Sequence, residues 1–180
     1  IDPSADKPRV FDYEEVLTQV QIDTLEEKTK AIAEKYGIGV GIITIDDYTP
    51  YGDDAYDAAE QLYNELDLGA SEDGDGVALL ISLDDRDFAT YVHGAKAEEI
   101  FSDAVLQDLE PYFLDNFGND DWYGGLSDFV SGCEWYLQHV AEGGEAGVPV
   151  HNEVEISDST QEDTADDSFT LGGAFGLSLL

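Results

Sequence analysis

Residues Gly74–Gly94 read GDGVALLISLDDRDFATYVHG, and the way this stretch folds decides the rest of the chain. Val77–Leu83 is the most apolar run in the protein, bounded by glycine before it and acids after it, which suits a central strand buried on both faces. Asp84, Asp85 and Arg86 leave room only for a tight connection. Phe88, Thr90 and Val92 then alternate with Ala89, Tyr91 and His93, so the second run is expected to pair antiparallel with the first.

Upstream, Thr18 to Tyr36 places Val20, Ile22, Leu25, Ile32 and Ala33 among charged residues, and Gly37 stands where a helix C-cap belongs. Gly39–Ile45, GVGIITI, is a short β-branched run ended by Asp46 and Asp47, again a buried strand. Asp53 or Asp54 is placed to cap a helix reaching about Leu66, with Ala55, Ala59, Leu62 and Tyr63 on one face. Downstream, helical patterns run from Ala97 to Asn116 and from Trp122 to Val140. The resulting order is α-β-α-β-β-α-α. It predicts an α/β fold, a three-layer sandwich in which a small mixed sheet has helices on both faces.

Residues 1–9 read as an N-terminal extension, 10–141 as the folded domain, 142–168 as a flexible acidic linker and 169–180 as an apolar tail. The tail, LGGAFGLSLL, has the character of the start of a membrane anchor or of an ordinary hydrophobic end. The chain begins at Ile1 and contains no Met, which fits removal of a signal peptide.

The formal charge of −35 comes from 42 acids against 7 bases, and no Lys or Arg follows Lys96. Nucleic acid is excluded as a partner, because such a surface neutralises no phosphates. The acids read either as a solvated surface or as ligands for hard cations such as Ca²⁺. Cys133 is the only cysteine and lies on the apolar stripe Leu126, Phe129, Val130, Cys133, Leu137 and Val140, which makes it core rather than catalytic. His93, His139 and His151 fall in no triad pattern. Arg86 is a candidate for binding an anion or substrate, or a local ion-pair partner. Trp122, Tyr123, Trp135 and Tyr136 are either a partner surface or core aromatics.

Three stretches in order, VFDYEEVL at Val10–Leu17, GVGIITID at Gly39–Asp46 and GDGVALLISLDDRDFATYVHG at Gly74–Gly94, resemble the TPM domain family. That family takes its name from a thylakoid lumen phosphatase, a photosystem repair factor and an auxiliary protein of an animal acetylcholine receptor. Here Asp73-Gly74-Asp75-Gly76 stands where many members have Asp-Asn-Gly, and His93-Gly94-Ala95-Lys96 replaces a frequent Gly-Tyr-Gly. The resemblance implies a membrane-anchored, extracytoplasmic domain and a carboxylate site for a divalent cation, Ca²⁺ foremost, formed by Asp12, Asp73, Asp75 and Asp103.

The residues themselves leave the geometry open. If the central strand runs parallel to the first, Asp46, Asp47, Asp84, Asp85 and Arg86 gather at one edge of the sheet and Asp73 and Asp75 at the other. An EF-hand frame starting at Ser71 fails, because it puts Ser82 at its twelfth position and runs through a strand. Two functions follow as expectations: a module that binds a partner protein, with any cation serving structure, or a weak metal-dependent phosphatase acting on phosphoesters.

Overall fold

The computed structural model describes residues 3–150. After a 3₁₀ turn at Pro3–Asp6, β1 (Val10–Asp12) leads into α1 (Gln19–Tyr36), β2 (Gly39–Ile45), α2 (Ala55–Glu65), and the hairpin β3 (Gly76–Ser82) and β4 (Asp87–His93). Three helices follow: α3 (Ala95–Ile100), α4 (Asp103–Gly118) and α5 (Trp122–Ala141).

Caps set the helix boundaries, and those at Gly37 and Asp54 are the ones expected from sequence. Thr18 and Gln21 form a reciprocal capping box at the start of α1, and Gly37 ends it in the left-handed region at φ 67°. Asp54 caps α2 by accepting the Asp57 N–H at 2.8 Å.

The sheet has the order β1-β2-β3-β4. β1, β2 and β3 are mutually parallel, and β4 returns antiparallel to β3. Val77, Leu79 and Ile81 point to the face covered by α1, α3, α4 and α5, whereas Ala78 and Leu80 point to the face covered by α2. Each large side chain so enclosed contributes roughly 1.5–3 kcal/mol over its exposed state. The three-layer sandwich with helices on both faces is therefore realised.

The structure departs from the sequence reading in three places. β1 is an additional strand, too short to carry a period. The helix expected over Ala97 to Asn116 is two helices, because Ser102 accepts the Val105 N–H at 3.2 Å and starts a new N-terminus after Phe101. Val20 is 74% exposed; the inward stripe of α1 is Leu25, Thr29, Ile32, Ala33 and Tyr36.

The chain after α5 turns back onto the domain. Gly147 O accepts from Ser102 Oγ at 2.7 Å, and the Val150 N–H donates to the Tyr136 hydroxyl at 3.2 Å. The rest of the expected linker and the apolar tail lie outside the described residues. No helix among the described residues is long and apolar enough to cross a membrane.

Candidate functional site

Parallel alignment of β1, β2 and β3 answers the question that the sequence left open. Their C-terminal ends bring Asp12, Asp46 and Asp84 to one edge, where the Asp84 N–H donates to Asp46 O at 2.8 Å. Glu14 belongs to this group: burial first, then Asp46, Asp84 and Asp12, raise its carboxyl above the ordinary value. Asp12 is held within the fold. Its carboxylate accepts the Thr44 hydroxyl at 2.7 Å and the main-chain N–H groups of Val16 at 3.2 Å and Leu17 at 2.8 Å.

The loop before β3 occupies the opposite edge, roughly 20 Å away along the strands. Gly39 N and Ala70 N both donate to Asp75 O at 2.9 Å, which folds the loop back onto the start of the sheet. The Asp75 carboxylate accepts from Ser71 Oγ at 3.3 Å and from the N–H groups of Lys96 at 3.2 Å and Ala97 at 3.4 Å. Asp73 and Asp75 share a cavity of about 620 Å³ with Gly37, Ser71, Gly94 and Lys96. Lys96 Nζ donates to Tyr36 O.

Asp103 lies at neither of these places. It opens α4 and lines a separate groove of about 560 Å³ beside β4, together with Tyr56, Glu60, Tyr91 and Glu98. Of the four carboxylates expected to bind one cation, the structure therefore brings only Asp73 and Asp75 together. Among the described residues, no group of three or more His, Cys, Asp or Glu side chains is arranged to hold a metal ion. The four do not fit a shared site.

Arg86 pairs with the end of α4. Its Nη1 donates to Asp120 Oδ1 and its Nη2 to Phe117 O, both at 3.2 Å. Cys133 is fully buried, and burial pushes its thiol far up. His93 sits against the rings of Tyr63 and Tyr91, and His139 stacks on Trp135 at 4.9 Å. Trp122, Tyr123 and Trp135 are partly buried and pack against the larger core, and Tyr136 lies within it.

Two features were missed in the sequence. Arg9, placed in the N-terminal extension, is fully buried; it donates to Leu68 O and Gly69 O at 2.9 Å and to Ser4 O at 2.8 Å. The groove beside β4 was missed as well. No local pattern marks it, since β4 is an edge only because the sheet has the order β1-β2-β3-β4.

A family model described as the TPM domain matches residues 10–135. No curated protein matches the chain. Three solution structures share its fold. The N-terminal domain of a protein from P. gingivalis superposes with a TM-score of 0.64 at 18% identity, covering 78% of this chain and 91% of that one. The N-terminal domain of a Corynebacterium glutamicum protein gives 0.55 at 12% identity, covering 81% and 88%. A protein from the psychrophilic bacterium Bizionia argentinensis gives 0.52 at 20%, covering 76% and 94%.

Proposed function

The chain belongs to the TPM domain family, and from that premise we propose that it is a non-catalytic module that binds a partner protein outside the cytoplasm. The supporting observation is the dispersal of the four carboxylates Asp12, Asp73, Asp75 and Asp103. The two most enclosed, Asp12 and Asp75, accept main-chain N–H groups that hold loops and a helix start in place. Phosphoester hydrolysis needs an activated water or nucleophile and stabilisation of developing negative charge. Cys133 is sealed in the core, and the Arg86 guanidinium is engaged at the end of α4.

The phosphatase reading is the alternative, and it is tested on an aryl phosphate with added Ca²⁺, Mg²⁺ or Mn²⁺. The binding reading expects turnover no faster than buffer, in the wild type as in Asp75→Asn and Arg86→Ala. Hydrolysis that is lost in either variant overturns it. The extracytoplasmic placement rests on the family likeness, and protease accessibility of the tagged protein in intact cells checks it.

A further inference from the structure

We propose that the free edge of β4 is a docking strand for an extended, basic peptide segment of the partner protein, paired through main-chain hydrogen bonds in the groove beside α2. This deepens the binding-module reading and rests on it.

The argument starts from which way the main chain faces. Asp75 O accepts from Gly39 N, and Leu83 N donates to Ile45 O, so the odd residues of β3 turn their N–H and C=O groups toward β2. Gly76, Ala78, Leu80 and Ser82 therefore turn toward β4. Their partners are His93, Tyr91, Ala89 and Asp87. Phe88, Thr90 and Val92 consequently point their main-chain groups away from the sheet. Phe88 fits this direction, because its N–H donates to the Asp87 carboxylate at 2.8 Å. β4 is the last strand in the order, so no strand of the described residues lies beyond Thr90 and Val92. An open edge of this kind is a template for an added strand.

The groove along this edge supplies the specificity. Its volume of about 560 Å³ is within the range of sites that take small ligands or short peptides. Glu60, Glu98 and Asp103 line it, and among the described residues no Lys, Arg or His does. The rings of Tyr56 and Tyr91 meet edge to face 5.7 Å apart, offering an aromatic surface to a cation. The negative field is felt locally: burial, then Glu60, Tyr56 and Glu98, push the Tyr91 hydroxyl up to about 12.

Charge also selects against the other occupants. A second copy carries the same net charge of −35 and would set Glu60, Glu98 and Asp103 against their own kind. The chain's own residues 151–180 contain no Lys or Arg and are repelled likewise. A segment with alternate Lys or Arg side chains meets the carboxylates on one side while its main chain pairs with β4.

The test titrates the ¹⁵N-labelled chain with the acetylated, amidated peptide KVKVKVKV and with EVEVEVEV as the acidic control. Saturable shifts of the Thr90 and Val92 amides are expected with the basic peptide alone. Val92→Pro removes an outward N–H without touching the ladder to β3 and should weaken binding at least tenfold. The triple variant Glu60→Gln, Glu98→Gln, Asp103→Asn, which keeps the edge intact, should weaken it at least tenfold as well. Basic-peptide shifts spread over other acidic faces, binding as tight as that of the wild type in either variant, or self-association of the chain through β4 overturns the proposal. If β4 stays silent while the aryl phosphate assay is negative, the docking strand fails and the binding module stands. If phosphate is released, the module reading fails whatever β4 does.

Discussion

The carboxylate of Asp75 lies 3.2 Å from the main-chain N–H of Lys96 and so caps α3 from the start of the neighbouring strand. α3 needs this because its own N-cap residue, Gly94, has no side chain to offer. Gly94 cannot be replaced easily: its φ is 94°, and a Cβ there would collide with Asp75. An acid that the family likeness offers as a cation ligand is thus engaged in joining β3 to the helix that follows β4.

Asp75→Ala is expected to lose about 1–2 kcal/mol, as the loss of a helix cap does, with Asp75→Asn retaining most of the stability. Thermal unfolding followed by circular dichroism measures both. If millimolar Ca²⁺ raises the melting temperature of the wild type but not of Asp75→Ala, this carboxylate serves a cation, and the capping account is wrong.

Asp12 and Thr44 should behave as one unit. The Thr44 hydroxyl is buried and donates to a carboxylate that also holds the Val16 and Leu17 N–H groups. Asp12→Ala should therefore cost about 2 kcal/mol or more, because it strands several donors together. A double-mutant cycle with Thr44→Val is expected to give a coupling of about 1 kcal/mol. Additive losses would show that the two groups act separately.

The strands β2 and β3 and helices α1, α2 and α5 were legible because each carries a strong local signal: a short run rich in apolar or β-branched residues, an apolar stripe, or a cap at the right offset. β1 was not legible, since Val10–Asp12 takes its conformation from pairing with Ile42–Thr44 rather than from its own pattern. The site was less legible still. Asp12, Asp75 and Asp103 are alike as acids in a sequence, and only the parallel direction of β1, β2 and β3 separates the first two to opposite edges. Arg9 escaped for a related reason, because its acceptors at residues 68 and 69 are far away along the chain.

Arg9 is expected to be among the most sensitive positions in the protein. Its guanidinium also donates to Ala5 O at 3.2 Å and Lys7 O at 3.3 Å, so one side chain fastens the first turn to the end of α2. Arg9→Met should cost roughly 3–5 kcal/mol, since it leaves buried carbonyls unmatched. Arg9→Lys should recover only part, as an ammonium cannot span the fork. Urea midpoints decide the matter, and a loss under 1 kcal/mol for Arg9→Met would mean that water replaces the guanidinium at little cost.

Glu110 gives a pH dependence whose direction follows from its environment. It lies on α4 with only 7% of its surface exposed, and burial raises its carboxyl to about 8 from the ordinary 4.5. In the folded protein it keeps its proton through neutral pH, whereas in the unfolded chain the proton is lost near 4.5. The folded state thus binds more protons across that window. Its advantage is whole below about 4.5 and is lost as the pH rises through about 8. Glu110→Gln carries no titrating group, so the variant should gain on the wild type from acid to alkali and be the more stable of the two above about pH 8. Many exposed acids repel one another over the same range, but they do so in both proteins, and the difference between the two urea midpoints isolates Glu110. A Glu110→Gln difference that is the same at about pH 5 and about pH 9 would show that this carboxyl titrates normally and reaches water in the folded state.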